Sequence, residues 1–231
     1  MIACAPLHSI RTAALLVAGA GVTACAGPAG PPSLPPAVPD LVAANEALGD
    51  PYGGRFPVDE ALAGLPAQGQ LLATLVTDEG EIECRLDLRH APLTVASFVG
   101  LARGLRPFQG DDGAWHTEPF YQDLPWHRAE EGPFVQTGRR GKQATGGFLL
   151  QDEVSYGDSF DRGGVLAMGN TGLEHSGSTQ FFVTTGPASH LEGAHTIFGQ
   201  CDGEAVVRTL ERRVVRGGPP PVLVRVEIRR E

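Results

Sequence analysis

The stretch GGVLAMGNTGLEHSGSTQFFVTTGPASHLEGAHTIFG, Gly163 to Gly199, decides how the rest of the chain is read. Its short, mostly apolar runs are Val165-Leu166-Ala167-Met168, Phe181-Phe182-Val183 and Thr196-Ile197-Phe198, parted by loops rich in Gly, Asn and Ser. Strand-like runs whose connections are too long for a tight hairpin predict a large antiparallel sheet or barrel. The loops carry Asn170, Gln180, His190 and His195 among aromatic and aliphatic neighbours. Such a surface suits a small apolar group with one polar handle.

Working outward, Leu71–Val76 and Glu81–Leu88 flank Thr77-Asp78-Glu79-Gly80, a hairpin signal with Gly in the turn. In the second run Ile82, Cys84, Leu86 and Leu88 alternate with charged residues, so one face is buried and one is wet. Pro92 opens PLTVASFVGLARG, where Val95, Phe98, Val99 and Ala102 recur at helical spacing and Gly104 supplies the stop. Phe120–Arg128 and Phe134-Val135-Gln136 have strand texture, whereas Gln151-Asp152-Glu153 reads as a surface or turn element. Arg139, Arg140 and Lys142 sit in a glycine-rich loop without phosphate-loop spacing, which predicts a solvated loop. Downstream, Val206, Val207 and Leu210 form one helical face, and Val222–Ile228 alternates as a closing strand. The sum is a mainly β fold, a closed antiparallel eight-stranded barrel capped by two helices.

The 231 residues allow one core plus appendages, and 31 Gly with 19 Pro fit a loop-rich chain. A formal charge of −9 argues against a nucleic-acid partner, which would need a basic face. The four Cys form no CxxC and the seven His no HxH or HExxH, so no metal is expected. Residues 1–25 read as an export signal: Arg11, the small apolar run Thr12–Gly21, then Val22-Thr23-Ala24-Cys25. That ending resembles the bacterial lipoprotein box, in which Cys25 takes the lipid; the alternative is an ordinary secretion signal with a chance cysteine. Residues 26–69 read as a linker, Pro-rich to Asp40 and then poorly structured, with Val58–Leu65 allowing one or two helical turns that Pro66 ends, and residues 70–231 as the folded domain.

Six pieces of this domain occur in the order found in cyclophilin-type peptidyl-prolyl cis/trans isomerases. Ala91–Phe98 (APLTVASF) resembles that family's first-helix start, and Phe120–Arg128 (FYQDLPWHR) its FYDGxxFHR strand. Gln136 follows Arg128 at the family's spacing, and Gly164–Asn170 resembles GxLAMAN. Ser178–Thr185 resembles SQFFI, and His190–Gly199 resembles WLDGKHTVFG. The resemblance implies a non-covalent isomerase that needs no cofactor, acting as a monomer on proline-containing polypeptides during the folding of exported proteins. It implies Arg128 as the catalytic donor toward the prolyl nitrogen and Gln136 as the group orienting it and the substrate. Phe134, Phe182 and Leu191 would wall the proline pocket, with His195 at the rim. Gly169, Asn170, Thr171, Gln180 and His190 would complete the peptide-binding surface. Simple core residues are the alternative for Phe182 and Leu191, and a surface ion pair for Arg128. A lipid on Cys25 would hold the domain at a membrane of the bacterial envelope, facing the periplasm.

The departures are specific. Pro133 stands where the family carries a pocket Phe, and Phe134 can replace that ring from the next position. His190 replaces a Trp common in eukaryotic members, which implies weak cyclosporin affinity. Gly169 and Thr171 replace alanines beside Asn170. Glu130 and Glu131 replace an apolar-Pro pair, and a carboxylate there can pair with Arg128 and compete with substrate. A second reading is therefore a proline-binding module or chaperone with little turnover. A Ser hydrolase built on Ser178 and His175 lacks the G-x-S-x-G elbow. Cys84 and Cys201, on expected strands of one barrel, are either bridged or two buried thiols.

Overall fold

The computed structural model describes residues 32–155 and 157–231. The signal-like segment, Cys25 and the first part of the Pro-rich stretch lie outside the described residues. The first elements are α1 (Pro39–Leu48), in a segment expected to be linker and poorly structured, and α2 (Val58–Ala61), within the Val58–Leu65 stretch expected to allow a helical turn. Pro39 opens α1, and Gly49 closes it in the left-handed region at φ 87°. Between the two helices Phe56 is 1% exposed, and Ala61 is fully buried. This part of the expected linker is built into the core. It has no hydrophobic period because single side chains on irregular backbone, rather than one helical face, make the contacts.

The hairpin forms as expected from β1 (Leu71–Thr77) and β2 (Gly80–Leu86), with Thr77 paired to Gly80 across the turn. There follow α3 (Pro92–Arg103), β3 (Phe108–Gln109), β4 (Trp115–His116), β5 (Leu124–Pro125), β6 (Arg128–Glu130) and β7 (Phe134–Thr137). The chain continues through β8 (Val165–Met168), β9 (Phe181–Thr184), a 3-10 turn (Ser189–Leu191), β10 (Ile197–Cys201), α4 (Glu204–Arg216) and β11 (Val222–Arg230).

Among the described residues the main sheet has nine strands in the order β5-β11-β1-β2-β10-β8-β9-β7-β6, and β3 and β4 form a separate ribbon. All of its ladders are antiparallel. This corrects the expectation of a closed eight-stranded barrel with two helices. The two edge strands, β5 and β6, are successive pieces of one stretch parted by Trp126 and His127. The Trp126 amide donates to the Pro221 carbonyl (2.9 Å), next to β11, and the His127 amide donates to Gln136 on β7 (3.1 Å). The curl is thus completed by the chain crossing from one edge to the other. Pro125 has no N–H to donate, which suits it to the end of a ladder.

Helix α3 crosses the core: the Phe98 ring lies 5.2–5.3 Å from those of Tyr121, Phe181 and Phe198. At Gly100 of this helix an added Cβ would come within 2.5 Å of the Phe56 ring, so glycine is what lets the N-terminal segment seat. Ala91 cannot cap α3, and Glu153 does so from a distance. Its carboxylate accepts the amides of Leu93 (3.0 Å) and Thr94 (2.8 Å). Glu153, expected in a surface or turn element, is buried, and burial raises its pKa against the pull of those hydrogen bonds. Cys84 and Cys201, in register across β2 and β10, are disulfide-bonded with a sequence separation of 117. In a chain-entropy estimate, a bridge over a loop of that size removes about 4–5 kcal/mol of unfolded-state freedom.

Candidate active site

Successive side chains of a strand point to opposite faces, and here both faces are apolar. Val135, Phe181, Val183, Leu166 and Met168 join the barrel core. Their neighbours Phe134, Phe182, Val165 and Ala167 form a second cluster outside it with Phe160 and Ala188. Adjacent aromatic residues on β9 therefore serve different ends: Phe181 fills the barrel and Phe182 builds the outer cluster. The ladders set Arg128 opposite Gln136, Gln136 opposite Phe182, and Phe182 opposite Ala167. One row across four strands thus carries a cation, an amide, an aromatic ring and a small residue.

A cleft of about 260 Å³ opens over this row, lined by Arg128, Gln136, Phe134 and Phe182 on the strands. Gly169 and Asn170 line it from the loop after β8, and His190, Leu191 and His195 from the segment before β10. Glu130 also lines it. Phe134 and Phe182 pack with ring centroids 5.0 Å apart, and Phe160, which sequence reasoning missed, stacks 6.0 Å from Phe182. Phe160 arrives from an irregular loop with no period or motif to mark it. Leu191 packs partly buried against this cluster.

Arg128 is held from three sides. Its Nη2 donates to Glu130 Oε1 at 2.5 Å and its Nη1 to Gln136 Oε1 at 3.4 Å. Its guanidinium sits 5.0 Å from the centre of the Phe134 ring. The orientation of Gln136 follows from a directed relay. A carbonyl only accepts, so at Ala144 the donor must be Gln180 Nε2 (2.6 Å). Gln180 Oε1 then accepts from Gln136 Nε2 (2.9 Å), which leaves Gln136 Oε1 facing Arg128. Gln180 therefore stands behind Gln136 and is absent from the cleft lining. His127, next to Arg128 and not singled out in the sequence, joins the relay, its Nε2 3.1 Å from Gln180 Oε1.

Asn170 ties its loop down: Nδ2 donates to Ala194 O (2.7 Å) and Oδ1 accepts the Gly172 amide (3.0 Å). Gly169 donates its amide to Gln180 O (2.8 Å). Thr171 lies one residue beyond the lining, exposed, its amide donating to Ser176 Oγ. His195 meets Phe182 edge-on at 5.1 Å, and its Nδ1 donates to Met168 O (2.9 Å). Glu131 faces a different cleft, beside Arg212 and Arg216 of α4. Helix α4 steadies the β6–β7 turn through Glu211, which accepts from the Gly132 amide (2.6 Å) and the Thr185 hydroxyl (2.8 Å).

Burial lowers the pKa of both His127 and His195 from 6.5, outweighing their hydrogen bonds. With folded values depressed, the unfolded chain binds more protons below about pH 6.5, so stability is complete above that pH and is lost as the pH falls. The thermal midpoint is expected to fall between about pH 7 and pH 5, and to fall less in the His127→Gln/His195→Gln protein. An equal fall in both would show that these two groups do not set the slope.

The family model described as cyclophilin type peptidyl-prolyl cis-trans isomerase/CLD matches residues 72–230. Peptidyl-prolyl cis-trans isomerase B of Streptomyces anulatus is 42% identical over 139 residues, 59% of this chain and 79% of that one. Peptidyl-prolyl cis-trans isomerase A of Mycobacterium tuberculosis is 36% identical over 159 residues, 64% of this chain and 85% of that one. In fold, the chain resembles the crystal structure of a Cryptosporidium parvum cyclophilin type peptidyl-prolyl cis-trans isomerase. The TM-score is 0.58 at 23% identity, covering 71% of this chain and 99% of that one. The chain belongs to the cyclophilin-type peptidyl-prolyl cis-trans isomerase family.

Proposed function

We propose that this isomerase works through Arg128, held over the cleft by the Arg128–Gln136–Phe182 row. Rotation about an X–Pro bond must break amide resonance, a barrier of about 18–20 kcal/mol, and forms no covalent bond to the catalyst. The twisted amide has a pyramidal prolyl nitrogen with a localised lone pair. A donor aimed at that lone pair binds the twisted form better than either planar form and so accelerates rotation. Phe134, Phe182 and Leu191 grip the ring, Gln136 orients the substrate carbonyl, and Asn170 presents backbone to the peptide. Gln180 acts one step back, fixing the amide of Gln136. The observation that carries this reading is the pre-set guanidinium at the mouth of an aromatic-walled cleft. A related crystal structure determined in the presence of the dipeptide Ala-Pro makes that sequence a natural probe. NMR exchange on an Ala-Pro peptide tests the reading: catalysed exchange supports it, and exchange at the uncatalysed rate refutes it.

The clients are exported proteins, and the protein is a monomer tethered by lipid on Cys25 to a membrane of the bacterial envelope, facing the periplasm. Uncatalysed isomerisation takes about tens to hundreds of seconds, slow enough to limit folding there. The Cys84–Cys201 bond supports an oxidising compartment. Labelling of cells with a palmitate analogue is expected to mark the wild type and to miss Cys25→Ala. Equal labelling of the two would overturn the anchor.

A further inference from the structure

Glu130 has no part in the isomerisation chemistry just described, yet it holds the group that performs it. It stands two residues after Arg128 on β6, so both side chains leave the same face of the strand. Among the described residues it is the only carboxylate lining the cleft. The side chains of Arg128 and Glu130 are 54% and 46% exposed, so the pair sits at the mouth, open to solvent and to salt. Opposite Glu130 in the ladder is Phe134, the ring beneath Arg128. When a substrate amide engages the Arg128 guanidinium, its solvent-open ion pair with Glu130 weakens. A cationic side chain next to the proline can take the place of Arg128, a neutral one leaves the charge to water, and an acidic one meets like charge.

We propose that Glu130 is a specificity-determining residue that trades its bond to Arg128 for a cationic substrate side chain, making the protein select Lys- or Arg-bearing proline segments. This rests on the reading of Arg128 as the amide-directed donor. Charge pairs at a solvent-open rim shift affinity and encounter modestly, and attraction and repulsion add when the two peptide charges are compared.

The test compares isomerisation of peptides carrying Lys, Ala or Glu immediately before or after the proline. For the wild type, kcat/KM is expected to be about ten-fold higher for Lys than for Glu at low salt, and to differ by less than about three-fold at 0.5 M NaCl. In Glu130→Gln the ratio is expected to fall to about one, with faster turnover of the Ala peptide because Arg128 is released. Glu130→Asp, which keeps the charge, is expected to keep the preference, and Glu131→Gln to leave it unchanged. A wild-type ratio within about two-fold at low salt, or the same ratio in Glu130→Gln, overturns the proposal. Dissociation constants from NMR titration of the same peptides give the ratio where turnover is too slow to measure. Arg128→Ala separates the two readings. If it turns over the Ala peptide as fast as wild type, the Arg128 reading fails; a flat peptide ratio with Arg128 essential defeats only the role given to Glu130.

Discussion

Arg128→Ala is expected to lower kcat/KM on an Ala-Pro peptide by about 10²–10³-fold, the loss typical when one pre-set donor to a developing charge is removed. The thermal midpoint should barely move. The side chain is half exposed, and its pair with Glu130 is the solvent-open kind that contributes about 0–1 kcal/mol. Arg128→Lys should recover only a small part of the rate. An ammonium keeps the charge but lacks the planar fork that can face Gln136 and the substrate together. Because the donor is needed most in the twisted amide, the loss should fall chiefly on kcat, with KM changing little. Parallel measurement of exchange rate and thermal midpoint decides the matter. A variant that keeps wild-type kcat/KM would remove Arg128 from the chemistry. A variant that loses activity only because it unfolds would show the same fall in midpoint.

Asp50→Ala is expected to have the largest effect on stability, about 3–5 kcal/mol, because it strands a buried charge. Asp50 and Arg106 have fully buried side chains, and Arg106 Nη2 donates to Asp50 Oδ2 at 3.1 Å. Burial pulls the Arg106 pKa down to about 10 even with Asp50 opposing the shift. The guanidinium also lies 3.7 Å from the centre of the Phe148 ring, and its Nε and Nη1 have no hydrogen-bond partner among the described residues. Asp50 further accepts the amides of Gly54 (2.6 Å) and Tyr52 (3.3 Å), so its loss also frees the loop that seats Phe56. At this chain length the midpoint should drop by about 6–20 °C. Asp50→Ala/Arg106→Met should recover much of that, since an apolar side chain needs no partner there. The single variant, assayed well below its midpoint, should still isomerise, because neither residue lines the cleft. A single variant as stable as wild type, or a double variant no better than the single, would sink the argument.

The parts of the molecule that repeat a period were legible in the sequence. The β1–β2 hairpin, α3 with its Pro92 start and Gly104 stop, and the strands around Phe134, Val165, Phe181, Ile197 and Val222 all lie where alternation, helical spacing or short apolar runs put them. Nearly all the cleft-lining residues were legible too, because they sit in short motifs whose order matches the family. Three features were not. The segment from Pro39 to Ala61 reads as linker, yet it supplies Phe56, Ala61 and the partner of a buried arginine. Gln180 reads as a subsite residue, but its bonds to Gln136 and to the Ala144 carbonyl, which set the Gln136 amide, were not legible. Glu153 reads as surface or turn and caps α3 from 60 residues away.

By itself, then, the chain of residues determined the family, the mainly β class and the aromatic, amide and guanidinium groups of the site, since these are local patterns of residue type and spacing. Only the tertiary structure decided how the sheet curls, with the chain crossing from edge strand β5 to edge strand β6 at Trp126 and His127. It alone set Gln180 behind Gln136, joined Asp50 to Arg106, and placed Glu130 rather than Glu131 on Arg128. Each of these depends on which atoms the folded backbone brings within about 3 Å of one another, and hydrogen bonds and ion pairs between residues far apart leave no period in a sequence.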